Sequence, residues 1–507
     1  MSREKKYHPA PEPDFKLAER LINELTKAHW SDEPGSKGMH AYGYTPQEQE
    51  AIDIVVREAV KQHMEAFSDL AGNVYLILRG VHGAKSTKTD VIVSHLDTIE
   101  KGGAHDGRDG IVAGLAVVAG LNKAKVKPKN DLCVMIARSE ESDINGQVSI
   151  GAKAATGGLP KTALDDLKNR KTGRTLWREM SELGIPVAEL DKRLDITPTL
   201  FPTKDNAKDL IGFLVEAHIE QGNYCVKQDI NVGIVDAIRG NTRFQDVVIE
   251  GERAHSGATH MEDRADAVRA YIELSHAAIV WCDKKRKKGQ DIVFTPSMIN
   301  STNRSISSVA DNAIFSFEIR SADEKLLHEF SEFFNRKAAE IVDTNPTDKL
   351  KIKQLNPDLT NQNLAAHSAI QKPPPYIFAP NLKPNITAPA VMDTNLISHA
   401  QWIAEQEKIA SGIITSGAGH DTAQFANTGT PSAMIFIRQP DAISHNPREA
   451  RSESSFRDAC KIISGMVMNP SEQTEKKSKS TRGGFRNFTD YIIKQGAKEY
   501  TPGQWRR

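Results

Sequence analysis

The chain has 507 residues in which 66 Lys and Arg balance 66 Asp and Glu, so no net field draws it toward nucleic acid or an anionic membrane. That length exceeds one ordinary core and predicts two domains plus appendages. Four widely spaced cysteines, Cys133, Cys225, Cys282 and Cys460, form no CxxC pair, which excludes a disulfide scaffold and a thiolate metal knuckle. The N-terminal "MSREKKYHPAPEPDF" lacks a following apolar segment, and no apolar run approaches the ~20 residues that span a bilayer. A cytoplasmic protein acting on a small soluble substrate is expected.

Thr45-Pro46-Gln47-Glu48 has the form of a capping box and predicts a helix running to about Leu70. Strands are predicted at Asn73 to Arg79, Thr89 to Ser94 and Asp131 to Ala137, with a small-residue helix at Gly110 to Leu121 between the last two. Strand, helix, strand in that order is a parallel crossover, so the first domain reads as α/β, with a mixed, largely parallel sheet and helices on both faces.

From Arg243 the predicted order becomes strand (243 to 251), helix (263 to 280), strand (291 to 299), strand (312 to 320), helix (324 to 342), strand (350 to 355). This βαββαβ pattern is ferredoxin-like. It interrupts the first domain, giving 1–228 and 356–469 as the two parts of a catalytic domain, 229–355 as an inserted lid or dimerisation domain and 470–507 as a tail. The proline-rich Gln371 to Pro389 reads as an extended surface loop, and Ala433 to Arg438 as a last buried strand. Asp283 to Lys288 reads as a solvated helix end. The tail after Pro470 carries nine Lys and Arg against four Asp and Glu, and reads as a partly disordered appendage or a packing arm at a subunit contact. "GAKSTK" (Gly83 to Lys88) only imitates a phosphate loop.

The chemistry-bearing residues cluster at predicted strand ends, where open α/β sheets bind ligands. His95 and Asp97 follow the strand "TDVIVS", and Glu140 and Glu141 follow "DLCVMIA". Adjacent carboxylates repel unless cations neutralise them, so the pair reads as a solvated turn or as a metal ligand beside a general base. Asp106 in "GGAHDGRDG" reads as a helix N-cap, a role equally open to Asp109, or as a carboxylate facing metal. His218 in "EAHIEQG" and His445 in "AISHNP" complete the inventory of a two-metal hydrolase, in which a carboxylate bridges cations ~3.5 to 4 Å apart.

"SHLDT", "GGAHDGRDGIVAGLAVV", "SEES", "AHIEQG", "AHSGATHMEDRADA", "SGAGHD" and "ISHNP" together resemble the M20-type metallo-amidohydrolases of the hydantoinase/carbamoylase branch, over roughly residues 90 to 450. That branch contains N-carbamoyl-L-amino-acid hydrolase, β-ureidopropionase of the yeast type and allantoate amidohydrolase. The resemblance implies two divalent metal ions, zinc first, with manganese, cobalt or nickel as alternatives. It implies His95 and His218 as ligands of one, Glu141 and His445 as ligands of the other, and Asp106 as the bridge. Glu140 corresponds to the general base, and Asp97 to the residue that orients His95. His255 corresponds to an oxyanion donor acting in the partner subunit of a homodimer. Gln221, Asn241, Arg320 and Gly419 correspond to substrate contacts, Arg320 being the partner of a substrate carboxylate. Ser307 stands where the family usually has asparagine, His260 where it has proline, and Asn241 where glutamine is commoner.

The function implied is hydrolysis of an N-carbamoyl (ureido) amino acid to amino acid, ammonia and carbon dioxide. The alternatives are an allantoate-type ureido hydrolase, an M20-type dipeptidase or N-acyl amino acid deacylase, and a non-catalytic binding protein on the same fold.

Overall fold

In the computed structural model, which describes residues 6–82, 88–196, 199–355, 376–470 and 485–503, the β-branched run Thr89–Ser94 is a fully buried strand. It pairs in parallel with Asp131–Ile136 on one side and Ile211–Ile219 on the other. Both neighbours are buried along their whole length, as strands covered on both faces are. Alternate residues divide between two layers. Ile92, Val134 and Val215 pack with residues of the helices Phe15–His29, Pro46–Lys61, Arg108–Ala124 and Glu453–Met468, while Val91, Val93 and Met135 join Phe201, Phe425 and Phe488. The ten-stranded sheet is mixed, parallel at its centre and antiparallel where Val74–Leu78 and Glu65–Ser68 extend it.

Two compact units divide the chain, Arg239–Ala390 and the remainder. The inserted unit starts at Arg239 rather than 229 because Val232–Ile238 pairs with Ser411–Ser416 and Ser432–Ile437 in the large sheet. It ends at Ala390 rather than 355 because Tyr376–Phe378 pairs with Lys351–Leu355 and Asn385–Thr387 with Gly240–Glu250. The proline-rich stretch expected to be a loop thus contributes two short edge strands, the positions where a sheet tolerates proline; its residues 371–375 lie outside those described. Within this unit the order of the main strands is Val293–Asn300, Asn312–Ser321, Gly240–Glu250, Lys351–Leu355, every pair antiparallel. With the helices Ala267–Arg286 and Glu324–Asp343 this is the ferredoxin-like βαββαβ topology, closed over Phe244, Phe315, Phe317, Phe330 and Phe334.

Two further expectations are corrected. The helix opened by Pro46 ends at Lys61, not near Leu70: His63 turns left-handed at φ 61, and Glu65–Ser68 is a strand. The described part of the tail is an integral piece of its own unit, since Phe488 and Ile492 of the helix Phe488–Lys494 enter the core and Lys498–Glu499 pairs with Glu65–Ser68. All four cysteines are buried and free, and no helix among the described residues is long and apolar enough to cross a membrane.

Candidate metal centre

The predicted ligands converge because parallel strands deliver them to one edge of the large sheet. His95 and Asp97 follow Thr89–Ser94, Glu140 and Glu141 follow Asp131–Ile136, and His218 is the penultimate residue of the strand Ile211–Ile219. Asp106 precedes the helix Arg108–Ala124, and His445 sits on the loop after Ser432–Ile437. Gly107, between Asp106 and that helix, has φ 66, and a Cβ there would lie 2.3 Å from the His95 ring. Glycine is required on both counts.

Asp106 is the hub. Its Oδ1 lies 3.0 Å from His218 Nε2 and 3.7 Å from His95 Nε2, and its Oδ2 lies 3.4 Å from His445 Nε2. His445 Nε2 is in turn 3.3 Å from Glu141. Two sets of donors result, His95–Asp106–His218 and Asp106–Glu141–His445, each with its ligand atoms within 4.8 Å of one another.

The tautomers show why a cation belongs here. His95 Nδ1 faces the Asp97 carbonyl oxygen at 3.1 Å and His218 Nδ1 faces that of Ile219 at 2.9 Å, so each Nδ1 carries a proton and donates. The two Nε2 atoms, 3.4 Å apart, are then lone-pair donors in the neutral rings, aimed with a carboxylate oxygen at one point. Three acceptors facing one another repel unless protons or a metal ion sit among them, and this nitrogen and oxygen set suits zinc, manganese, cobalt or nickel. The residues fit the metal the motifs imply.

Charge coupling runs through the same atoms. Burial opposes a proton on His95, yet Asp97, Glu140 and Asp106 lift its pKa well above the usual histidine value. Burial likewise opposes ionisation of Asp106, yet His218, His445 and His95 hold it well below the ordinary carboxylate range. Contacts with Asp106 and Glu141 push His445 up to about 11. Glu140 moves opposite to Asp106: burial, only partly offset by His95 and reinforced by Glu141, raises it well above a usual glutamate.

Asp97 joins three elements. Its Oδ1 lies 3.4 Å from His95 Nδ1 and accepts the Glu140 N–H at 3.1 Å, while Oδ2 accepts the Glu141 N–H at 3.0 Å. One carboxylate therefore orients a ligand and fixes the backbone of the glutamate pair. Gln221, expected at the substrate, donates from Nε2 to Asp106 Oδ2 at 2.8 Å.

Some residues of the centre escaped the sequence reading. Ser444 donates to Asp106 Oδ2 at 2.8 Å, and Glu449 accepts the N–H groups of His105 and Asp106 at 2.9 and 3.0 Å, tying the His445 loop to the Asp106 loop. Ser444 is the serine of the quoted "ISHNP" and Glu449 lies two residues past it, so the motif was the available signal. The His420 ring lies 4.4 Å from that of His218, and burial and then His218 keep its pKa well below the usual value. Burial, then Glu216, pushes its neighbour Asp421 up to about 8. Both stand in "SGAGHD", from which only Gly419 was singled out; a Cβ at Gly419 would meet open space. Glu216, His218 and His420 form a third donor group, but Glu216 is occupied by the Thr422 N–H at 3.0 Å and hydroxyl at 2.7 Å, and His420 by Ser416 at 3.1 Å.

The other expected site residues belong to the Arg239–Ala390 unit. Asn241 and Arg320 face each other in register across adjacent strands, and Arg320 Nε lies 2.6 Å from Glu318. His255 is exposed, and its Nδ1 accepts from the N–H groups of Gly257 and Ala258, both at 3.1 Å. The neutral ring therefore carries its proton on Nε2. Ser307 offers its carbonyl oxygen to Ser256 N–H at 2.9 Å, and exposed His260 precedes the short turn Met261–Asp263.

Comparison with known proteins identifies the family. The sequence pattern of peptidase family M20/M25/M40 matches residues 91–469. Allantoate amidohydrolase of Escherichia coli K12 is 26% identical over 436 residues, 85% of this chain and 92% of that protein. N-carbamoyl-L-amino acid amidohydrolase of Geobacillus stearothermophilus is 26% identical over 432 residues, 85% of this chain and 93% of that protein. The crystal structure of an amidase of the hydantoinase/carbamoylase family from Burkholderia multivorans superposes with a TM-score of 0.72 at 20% identity, covering 90% of this chain and 98% of that one. With the family pattern spanning the metal centre and most of both units, the chain belongs to peptidase family M20/M25/M40.

Proposed function

We propose that the protein is a cytoplasmic, metal-dependent amidohydrolase that cleaves the carbamoyl C–N bond of an N-carbamoyl (ureido) amino acid, releasing amino acid, ammonia and carbon dioxide. The observation that carries this reading is Asp106, whose two oxygens serve two separate donor sets beside Glu140. Two divalent ions held there, zinc or else manganese, cobalt or nickel, would supply a hydroxide near neutral pH and polarise the carbonyl. His95 and His218 would hold one, Glu141 and His445 the other, and Asp106 both.

The chain's own groups do the rest. Glu140, buried with a raised pKa, is suited to take a proton from the attacking water and hand it to the leaving nitrogen. Asp97 keeps that carboxylate in place through the Glu140 N–H. The guanidinium of Arg320 suits a substrate carboxylate, with Asn241, Gln221 and Gly419 as further polar contacts. His255 presents an Nε2–H, the donor an oxyanion needs, and acts across a homodimer in this reading. Relatives named for allantoate and for N-carbamoyl-L-amino acids match equally well at 26% identity, so an allantoate-type ureido hydrolase is the second reading.

Turnover of a carbamoyl amino acid and allantoate, followed by ammonia release, and of an N-acetyl amino acid, followed by release of the free amino acid, is to be compared on the metal-loaded protein, with fastest turnover expected on the first. Preference for the N-acetyl compound would refute a ureido hydrolase. Glu140→Gln is expected to lower kcat by about 10²- to 10⁴-fold with both metals retained, and unchanged turnover would remove Glu140 as the base.

A further inference from the structure

The family pattern ends at residue 469, yet Tyr500 is 4% exposed and reaches a buried network behind the glutamate pair. Its hydroxyl donates to Asp53 at 2.6 Å and accepts from Gln49 Nε2 at 2.5 Å. The other end of the Gln49 amide accepts from Arg138 Nη1 at 3.0 Å. Arg138, wholly buried, sends Nε and Nη2 to Glu48 at 2.9 and 2.6 Å, and the second Glu48 oxygen accepts the Ser139 N–H at 3.0 Å. Ser139 is the residue before Glu140, and it is held at φ 53, a left-handed backbone that costs a non-glycine residue about 1–3 kcal/mol unless its surroundings impose it. An unbroken set of side-chain bonds thus leads from Tyr500 to the strained turn that aims Glu140 and Glu141.

We propose that the C-terminal segment is a positioning element of the metal centre, with Tyr500 acting through Gln49, Arg138 and Glu48 to hold the Ser139 turn. The segment is docked for this task. Phe488 and Ile492 enter the core, Lys498–Glu499 extends the sheet, and the Tyr500 N–H donates to Ala66 O at 2.9 Å. Tyr500 is fixed from both backbone and side chain, so its hydroxyl arrives with little freedom to lose. A segment that merely covered a sheet edge would need the apolar contacts and strand pairing but not a buried hydroxyl joined to an arginine network. The inference rests on the reading of Glu140 and Glu141 as base and ligand.

The test uses the full-length, metal-loaded protein with Tyr500→Phe, which removes only the hydroxyl, Gln49→Leu, which breaks the next link, and Ile492→Ala, which weakens docking alone. Outer partners of a metal site typically contribute 10- to 100-fold, so for this more remote link Tyr500→Phe and Gln49→Leu are each expected to lower kcat about three- to tenfold. KM should stay within about twofold, and amide exchange should quicken at Ser139, Glu140 and Glu141. The double variant should be no worse than the stronger single one, because both cut one connection. Ile492→Ala should lower Tm, with a loss of kcat no larger than that of Tyr500→Phe. Wild-type kcat and wild-type exchange at those three amides in Tyr500→Phe would overturn the proposal. Should the unmodified protein hydrolyse no ureido substrate, the functional reading fails instead, and the exchange measurement alone then decides the role of Tyr500.

Discussion

The two donor sets that share Asp106 are built from different material. His95 and His218 stand at the ends of buried parallel strands, each side chain 1% exposed and pinned through Nδ1 to a backbone carbonyl. His445 comes from a loop, at φ 55, with its side chain 47% exposed, and faces Glu141 just past a strand end. Ligands on strands are placed more rigidly than ligands on loops. The strand-built set therefore behaves as part of the core. The loop-built set depends on the bonds that Ser444 and Glu449 make to the Asp106 loop.

The largest effect comes from breaking the rigid side. Gly107→Ala would drive a Cβ to 2.3 Å from the His95 ring at a backbone angle that only glycine adopts freely. Expected outcomes are a stability loss of about 1–3 kcal/mol by urea unfolding and loss of at least about 100-fold in activity as the His95 set is displaced. An unaltered protein would show that this set yields as easily as a loop.

Asp97→Asn comes next. Asp97 touches His95 on one side and both glutamate N–H groups on the other, and an amide cannot accept all of these contacts. A drop of about 10- to 100-fold in kcat/KM is expected, with affinity weakened for both metals. Weakening confined to one metal would separate the two sets more sharply than their shared hub implies.

The smallest effect is a pH dependence of the chelated protein. Asp106 and Glu141 hold His445 protonated up to about pH 11, against 6.5 for an ordinary histidine. A raised folded-state pKa stabilises the fold fully below pH 6.5, and the contribution is lost as pH rises toward 11. Because His445 is nearly half exposed, solvent screening trims it. Urea midpoints of the metal-free protein should fall between pH 6.5 and 9, and His445→Ala should flatten that slope.

Unbroken, mainly apolar runs made Thr89–Ser94 and Asp131–Ile136 readable to within a residue, since both are buried along their whole length, whereas Ile211–Ile219 and Val232–Ile238 of the same sheet were not assigned. The helix after Pro46 was overdrawn because the apolar rhythm persists through Met64, Phe67 and Leu70, which are buried in a turn and a strand instead. The capping box did not form: Thr45 caps nothing with its side chain, and Glu48 accepts at 2.7 Å the N–H of Tyr44, one residue before the N-cap. The same Glu48 is bound to Arg138, 90 residues away, a pairing that no local pattern reveals. The tail misled through its basic composition, although Phe488, Tyr491 and Ile492 already have the spacing of a buried helical face. The proposed ligands His95, Asp106, Glu141 and His218 were legible because they follow or end a strand or precede a helix, whereas His445, Ser444 and Glu449 act from a loop whose shape emerges only once it meets Asp106, and His445 was carried by its motif alone.

Metal stoichiometry of the purified protein and of His445→Ala tests the shared-carboxylate centre most directly. Two equivalents are expected in the unmodified protein and one in the variant, the remaining ion held by His95, Asp106 and His218. A single equivalent in the unmodified protein, or none in His445→Ala, would contradict two donor sets joined at Asp106.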